Sequence, residues 1–172
     1  MSLNNLVIRP FKKSDSAKAS LDFISELIDE EVYILYDRKM TLKQEKAWLK
    51  DKLRDLKNKQ QVALSVWHGK KLVAVCDAKK GKMKERDNTL IGIAILKAYR
   101  GKGLGEKLLR AIIGLAKEKL KPKNVYLSVF ADNKVAQNLY KKVGFRQFAI
   151  FPKWMKHKGK YVDSIYMILK SK

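Results

Sequence analysis

The run Arg100-Gly101-Lys102-Gly103-Leu104-Gly105 has the residue types and spacing of an anion-binding turn. An apolar segment with strand character, Leu90 to Leu96, leads into it, and an amphipathic helical pattern follows. The glycines allow backbone conformations that are closed to other residues, and they leave the peptide N–H groups accessible. The following helix adds free N–H groups and the positive end of its dipole. The run, whose arginine and lysine add positive charge, therefore predicts a phosphate or pyrophosphate site.

The register of the glycines excludes two common phosphate-binding motifs. A Walker loop requires lysine directly after its last glycine, but Gly105 is followed by Glu106. A dinucleotide-binding fingerprint counted from Gly101 requires glycine where Glu106 stands, and one counted from Gly103 requires it where Leu108 stands. The anion is therefore expected to belong to a different kind of ligand.

The composition is strongly basic, with 39 Lys and Arg against 17 Asp and Glu and a net charge of +22 over 172 residues. This length predicts one domain, residues 1–172, that buries about two-thirds of its unfolded surface without disulfides or metals. The charge favours acidic partners such as nucleic acid, a ribosomal surface or a polyphosphate ligand. A solvated lysine-rich surface explains the same composition, so nucleic acid is suggested by charge alone.

The single cysteine and the apolar runs predict the location of the protein. Cys76 lies beside the apolar segment Leu72 to Val75, which favours a buried small residue over a nucleophile. It cannot form an internal disulfide, which fits a reducing compartment. The segment Leu6 to Ile8 is too short for a signal peptide, and Leu90 to Leu96 is too short to span a membrane. We therefore expect a cytoplasmic protein with no membrane partner.

Periodicity and turn residues predict the element order β-α-α-β-β-β-α-β-α-β-β, an α/β fold with a mixed central sheet. Ser14 or Asp15 is expected to cap the first helix, and the second fits Thr41 to Asn58. Two charged segments, Lys79 to Asn88 and Pro152 to Lys160, are expected to be loops. The predicted strands are Leu6–Arg9, Gln61–Trp67, Lys71–Asp77, Leu90–Leu96, Val125–Phe130, Phe145–Phe151 and Tyr161–Leu169.

A second motif follows the strand at Val125 to Phe130: Asn133, Ala136, Leu139-Tyr140 and Gly144-Phe145. This motif and the glycine run resemble the two signatures of the GCN5-related N-acetyltransferase (GNAT) superfamily. The element order resembles that family over nearly the whole chain. The resemblance implies a GNAT-like mixed central sheet with splayed fourth and fifth strands. It also implies acetyl-CoA as the cosubstrate, with its pyrophosphate on the glycine run and no metal.

The resemblance implies roles for individual residues. The backbone of Ile93 to Ile95 would bind the arm of coenzyme A, and an N–H there would stabilise the oxyanion. Tyr140 would be the general acid, because a phenol with a pKa of about 10 can protonate a thiolate whose reference pKa is about 8.5. Asn133, on the same helix face, would both bind coenzyme A and cap the helix. The implied cofactor-binding residues are Ile93, Ala94, Ile95, Arg100, Gly101, Lys102, Gly103, Leu104, Gly105, Asn133 and Ala136.

The general base is not assigned by the resemblance. Many family members place a glutamate near the start of the fourth strand or within the fifth, where this chain has Leu90 and Ser128. Another group must therefore take the proton that the acceptor ammonium loses before it attacks. The candidates are Glu31, Asp37, Asp87, His157, Asp163 or a water molecule held by backbone carbonyls.

In this family the acceptor pocket is walled by the segment between the first two helices and by the loop between the last two strands. The implied acceptor-side residues are Tyr33, Tyr36, Trp154, Met155 and His157. Lysines within Lys153 to Lys160 favour an acidic acceptor over a polyamine.

The expected function is transfer of acetyl from acetyl-CoA to a primary amine, by a monomer or a homodimer. The acceptor would be a protein N-terminus, a lysine or a small-molecule amine. The alternatives are a basic module that binds nucleic acid or the ribosome, and an acetyl-CoA sensor, both without catalysis.

Overall fold

The computed structural model describes residues 5–169 as a central sheet with helices on its faces. The elements follow one another in the predicted order. The strands are β1 (Leu6–Pro10), β2 (Gln61–His68), β3 (Lys71–Lys80), β4 (Asn88–Ile95), β5 (Asn124–Phe130), β6 (Phe145–His157) and β7 (Lys160–Leu169), and the helices are α1 (Ala17–Asp29), α2 (Leu42–Lys57), α3 (Leu104–Leu120) and α4 (Lys134–Val143). Short 3₁₀ segments at Met83–Glu85 and Lys97–Tyr99 precede β4 and α3.

The strands form one seven-stranded sheet in the order β1-β2-β3-β4-β5-β7-β6. Neighbouring strands are antiparallel except β4 and β5, which are parallel and connected by α3 in a βαβ crossover. The strands β2 and β3 form a hairpin that turns at Gly69, whose φ of 58° is in the left-handed region that favours glycine.

The parallel strands β4 and β5 are hydrogen-bonded neighbours only where they begin. Their register places Asn88–Leu90 opposite Asn124–Tyr126 and then ends, although β4 continues to Ile95 and β5 to Phe130. Each strand keeps its other neighbour, β3 for β4 and β7 for β5. The two strands therefore splay apart and leave an open strand edge toward the gap. This confirms the expected fold class, an α/β mixed sheet with splayed fourth and fifth strands.

The two faces of the sheet are built differently beside this gap. Cys76 of β3 is buried on the same face as Ile95, whose side chain lies against Gly105 of α3. Because consecutive strand residues point to opposite faces, Asp77 points the other way, where Lys52 of α2 reaches it. The gap therefore connects an apolar α3-covered face with a face that carries buried charges.

Several helix ends match the sequence prediction. Thr41 and Gln44 form the capping box of α2, and Asn58 is its C-cap. Asn133 is the N-cap of α4, and Gly144 ends that helix with a φ of 108°.

The expected cap of α1 was wrong. Ser16 caps the helix, not Ser14 or Asp15, and its hydroxyl accepts from a backbone N–H of the first turn at 3.1 Å. Asp15 is buried instead and accepts from Arg9 at 3.0 Å and from the N–H of Lys12 at 2.8 Å. This carboxylate therefore binds β1 to the chain that follows it.

Of the two charged segments expected to be loops, residues 79–88 mostly connect two strands, as expected, whereas residues 152–160 are mostly strand. β3 runs through Lys80 and β4 begins at Asn88, so the connection is shorter than predicted. Most of Pro152 to Lys160 belongs to β6, which extends to His157. β6 is an edge strand, and an edge strand exposes lysines to solvent as readily as a loop does. Charge alone therefore did not distinguish an edge strand from a loop.

Candidate active site

A cavity of about 560 Å³ lies where β4 and β5 splay apart, a volume typical of small-molecule sites. Its walls come from the open edge of β4, from α4, from α2 and from the inter-helix segment, residues 30–41. We call one wall the α4 side, formed by Ile93, Ala94, Asn133 and Tyr140. We call the wall on the other face of the sheet the α2 side. It is formed by Tyr36, Glu45, Trp48, Lys52 and Asp77.

The glycine run forms the turn that enters α3. Gly101 and Gly103 have φ values of 71° and 79°, which favour glycine. A Cβ at either position would meet no atom within 4 Å, so the surface of the turn is open. Gly103 is the N-cap and offers no capping side chain, so the first N–H groups of the helix, from Leu104 onward, remain available to an anion.

Gly105 does not take the unusual backbone conformation that its place in the glycine run suggested. It lies inside α3, where a Cβ would come within 2.9 Å of Leu139 in α4 and 3.5 Å of Ile95 in β4. Its missing side chain lets α3 approach these elements closely. The expectation of an unusual backbone conformation was therefore wrong for this glycine.

The two cations of the run are engaged within the protein. Arg100 donates to the carbonyl of Ile95 at 2.7 Å and to Glu30 at 2.5 Å. Lys102 donates to the carbonyl of Ala98 at 2.7 Å. The charge of Arg100 is therefore balanced by a carboxylate of the inter-helix segment. The N-terminus of α3 adds positive potential at the turn.

The open edge of β4 presents backbone donors to the gap. The N–H of Leu96 donates to the carbonyl of Val73 in β3 at 3.0 Å. Because the direction of N–H groups alternates along a strand, those of Ile95 and Ile93 point to the opposite side, into the gap. Ile93 and Ala94 also line the cavity. This is the edge to which the resemblance assigned the arm of coenzyme A.

Tyr140 and Asn133 line the cavity from α4. The Oδ1 of Asn133 accepts from the N–H of Ala136 at 3.1 Å. Tyr140 is 8% exposed, its ring packs edge-on against Phe145, and its hydroxyl has no hydrogen-bond partner among residues 5–169. Burial, with a smaller contribution from Cys76, raises the pKa of this phenol, so it keeps its proton at neutral pH.

The aromatic residues expected on the acceptor side are only partly brought together. Tyr33, Tyr36 and Met155 line the cavity. His157 lies against Tyr33, with ring centroids 4.4 Å apart, but is not part of the wall. Trp154 is 62% exposed, packs on a neighbouring ring of β6 and also lies outside the wall.

The residues proposed from sequence as proton acceptors, Glu31, Asp37, Asp87, His157 and Asp163, lie outside the described cavity wall. Glu31 is exposed and its carboxylate is 3.0 Å from the ammonium of Lys158. Asp163 accepts from the N–H of Lys153 at 2.8 Å. These carboxylates have structural partners and do not face the cavity.

A buried polar cluster on the α2 side was missed by the sequence analysis. The Nζ of Lys52 lies 2.6 Å from the Oδ2 of Asp77, and Gln61 donates to the same oxygen at 2.7 Å. The side chain of Lys52 is 2% exposed, and its ammonium lies 4.9 Å from the ring centroid of Trp48. This cation is therefore satisfied by one carboxylate and an aromatic face.

Glu45 completes the α2 side. It is 6% exposed and lines the cavity, yet its side chain makes no hydrogen bond or ion pair with any residue of the described range 5–169. Burial raises the pKa of this carboxyl, and the more distant charge of Lys52 lowers it by less. Burial also raises the pKa of the Tyr36 phenol, and the charges of Glu45 and Asp77 add to that shift.

One signal for this cluster was present in the sequence. Glu45 and Lys52 stand four residues before and three after Leu49, so they belong to the apolar stripe of α2. Charged residues in such a stripe are seldom buried unless they are paired or serve a site. The contribution of Asp77 depends on the packing of α2 against the sheet, which the sequence did not reveal.

Other chemistries are not built into this part of the chain. Within residues 5–169, no three His, Cys, Asp or Glu side chains are grouped in a way that would hold a metal ion. Burial raises the pKa of the Cys76 thiol well above its ordinary value, so this residue is not a reactive thiolate. No helix in the described range has the length and apolarity needed to cross a membrane.

An open strand edge, an anion-binding helix N-terminus and a buried tyrosine on one cavity define a site for a long ligand with a phosphate group. The sequence profile of the Acetyltransferase (GNAT) family matches residues 21–145. The chain belongs to this family, which confirms the resemblance of its motifs and fold.

Curated relatives match shorter segments. An N-alpha-acetyltransferase of Sulfurisphaera tokodaii is 41% identical over 61 residues, which is 36% of this chain and 36% of that protein. A spermine/spermidine N(1)-acetyltransferase of Bacillus subtilis is 48% identical over 48 residues, 28% of this chain and 32% of that protein. The chain therefore matches about a third of the length of each relative.

The fold also resembles the solved structure of yncA from Salmonella typhimurium with its cofactor acetyl-CoA. The TM-score is 0.82 at 20% identity, and the match covers 97% of this chain and 94% of that one. At this identity the likeness shows the shared fold and nothing finer.

Proposed function

We propose that the chain, as one domain of residues 1–172, is an acetyl-CoA-dependent N-acetyltransferase that transfers acetyl directly to a primary amine in a ternary complex. Membership of the family supports this reaction class. The observation that carries the assignment is the buried Tyr140, whose hydroxyl has no hydrogen-bond partner among residues 5–169, on the same cavity as the unpaired edge of β4.

The glycine turn and the α4 side fit coenzyme A. The open turn at Gly101 to Leu104 offers N–H groups and a helix dipole to a pyrophosphate. The N–H groups of Ile93 and Ile95 offer donors to the amide carbonyls of the arm and to the thioester oxygen. Asn133 and Ala136, where α4 begins, would complete this contact. In yncA, acetyl-CoA is bound by a protein of the same fold.

The α4 side supplies the acid for the departing sulfur. Acetyl-CoA brings an acetyl group that is activated as a thioester. The phenol of Tyr140 is a weak acid because it is buried, so it gives up its proton only once the sulfur carries negative charge. The buried Cys76 is not suited to carry the acetyl group, and this supports direct transfer to the amine.

The acceptor is a primary amine that contacts Tyr33 and Tyr36 in the cavity wall. By their names, one relative is an N-alpha-acetyltransferase and the other is an N(1)-acetyltransferase of spermine or spermidine, so the two act on different amines. The lysines of Lys153 to Lys160 were expected to favour an acidic acceptor, but they lie outside the described wall. A cytoplasmic location, a monomeric or dimeric state and a nucleic-acid partner stay predictions.

The experiment is a screen in which release of free thiol from acetyl-CoA is followed. The acceptors are peptides with free amino termini, peptide lysines, amino acids, aminoglycosides and polyamines. We expect acceptor-dependent thiol release with at least one class. We also expect acetyl-CoA at about a hundredfold excess over its dissociation constant to stabilise the fold by about 2.7 kcal/mol. Stabilisation without thiol release from any amine would contradict the proposed reaction and favour an acetyl-CoA sensor.

A further inference from the structure

Glu45 is a buried carboxylate that the proposed acid chemistry leaves unused. It is 6% exposed, faces the cavity and has no hydrogen bond or ion pair within the described residues. Burying an ionisable group without a partner is unfavourable, so such a group in a native fold calls for an explanation. A ligand group that enters the cavity supplies one.

The surroundings of Glu45 indicate the chemistry of that ligand group. Asp77, a half-buried carboxylate of the α2 side, already binds Lys52 and Gln61. The outer charges of the wall are also paired, Asp51 with Arg54 and Lys79 with Asp55. Glu45 is therefore the carboxylate of the wall that remains for a cation. The rest of that wall is apolar or aromatic, including Leu35 and Trp48.

The α2 side lies beside the open edge of β4, where the thioester is proposed to bind. A Cβ built on Gly92 would lie 3.1 Å from the Oδ1 of Asp77, so this carboxylate touches the strand one residue before Ile93. Tyr36 is within electrostatic reach of both Asp77 and Glu45. Glu45 and the β4 edge line one continuous cavity.

We propose that Glu45 binds the ammonium group of a primary alkylamine acceptor and takes its proton, directly or through one water, before the amine attacks. This inference rests on the proposed acetyl transfer and names its general base and its class of acceptor. An alkylamine with a pKa of about 10.4 is neutral in fewer than about one in a thousand molecules at neutral pH. A base inside the cavity can deprotonate the bound ammonium, so the reaction does not depend on the small fraction of neutral amine in solution.

The proton balance of the step closes with Glu45 and Tyr140. The ammonium gives one proton to Glu45, and the freed nitrogen lone pair forms the C–N bond while the carbonyl π pair moves to oxygen. When that pair returns, the C–S bond breaks and the sulfur takes a proton from Tyr140. The nitrogen then loses a second proton, which passes through water to the phenolate of Tyr140. Glu45 releases the proton that it took from the ammonium to solvent. Alkylammonium and acetyl-CoA thus yield amide, free thiol and one proton.

The raised pKa of Glu45 supports this assignment, because a stronger base accepts an ammonium proton more readily. The charged and titratable groups that face Glu45 are Lys52 and Asp51 on α2, Asp77 and Lys79 on β3, and Tyr36 on the inter-helix segment. The charge of Lys52 lowers the pKa of Glu45, but the loss of solvent around the carboxyl raises this pKa by more.

The test compares two acceptors of similar length and different basicity, n-pentylamine and butyric hydrazide. The hydrazide is already neutral at neutral pH and needs no base. We expect Glu45→Gln to lower kcat/KM for pentylamine by about 100-fold or more and to leave that for the hydrazide nearly unchanged. Glu118→Gln, which removes an exposed carboxylate paired with Lys119 on α3, is the matched control and should change neither. Equal losses for both acceptors, or no loss, would overturn the role of Glu45.

A binding measurement decides the inference even if neither probe is turned over. With coenzyme A present, pentylamine should raise the melting temperature of the wild type and of Glu118→Gln, but not of Glu45→Gln. Absence of a shift in the wild type would overturn the alkylammonium site. Failure of the proposed function is distinguishable, because it would appear in the wild type as no stabilisation by acetyl-CoA, or as stabilisation without thiol release from any amine of the screen.

Discussion

The α4 side and the α2 side of the cavity are built by different means. The α4 side and the neighbouring turn at Gly101 to Leu104 offer mainly backbone N–H groups, joined by Tyr140. The α2 side consists of side chains from separate segments, including Glu45 and Asp77. Backbone donors need glycines and strand ends but few particular side chains. Under the proposed function, recognition of the acetyl donor would therefore be carried by short motifs, whereas recognition of the acceptor would depend on how distant segments pack.

The largest expected effect tests the α4 side. Tyr140→Phe removes the proton donor for the sulfur, and we expect kcat to fall by about 100-fold or more. Stabilisation by acetyl-CoA should persist, because backbone groups bind the cosubstrate. Tyr126→Phe is the matched control, since it removes a hydroxyl on β5 outside the cavity wall. An unchanged kcat in Tyr140→Phe would show that the phenol is only a packing residue.

This contrast explains how much could be predicted from the sequence. Glycine spacing predicted the turn, because a turn arises from local residues. The splayed strands and the place of Tyr140 were implied by the resemblance of two short motifs to the family. The search for a base instead weighed Glu31 and Asp163, which bind Lys158 and the backbone of Lys153. Glu45 was missed because its burial results from the packing of α2 on the sheet, which no local pattern specifies.

The next effect tests whether the buried charges of the α2 side support the fold. Asp77→Asn leaves the ammonium of Lys52 buried without its carboxylate. We expect the free energy of unfolding to fall by about 3 kcal/mol or more, measured by urea denaturation. Asp51→Asn breaks an exposed pair with Arg54 on the same helix and should cost about 1 kcal/mol or less. Equal losses in the two variants would mean that the Lys52–Asp77 pair behaves as a surface pair.

A smaller effect tests the backbone turn next to the α4 side. Gly103→Ala places a Cβ on a residue with a φ of 79°, and we expect it to cost about 1–2 kcal/mol. It should also raise the dissociation constant for acetyl-CoA, because the turn no longer keeps its shape. Gly114→Ala within α3 meets no atom within 4 Å and should stabilise the protein by about 0.5–1 kcal/mol. Gains of stability in both variants would contradict the strained turn.

The smallest effect concerns stability and pH on the α2 side. Because burial raises the pKa of Glu45, the native state holds this proton more tightly than the unfolded chain does. The free energy of unfolding therefore falls as pH rises from the ordinary carboxyl range, about 4.3, through the raised value, and the loss is constant above it. Glu45→Gln removes this penalty, so the variant should be slightly more stable than the wild type at neutral pH and about equal to it in acid.

Urea midpoints measured between about pH 4 and pH 8 give the difference in stability between Glu45→Gln and the wild type. Glu118→Gln is the reference for loss of a surface carboxylate. Lys52, Asp77 and Tyr36 are present in both proteins, so the comparison isolates the carboxyl of Glu45. A variant less stable than the wild type at neutral pH would mean that the carboxylate already has a stabilising partner within the protein. A variant that is more stable but inactive toward alkylamines would show that this buried charge is kept for the acceptor and at the expense of the fold.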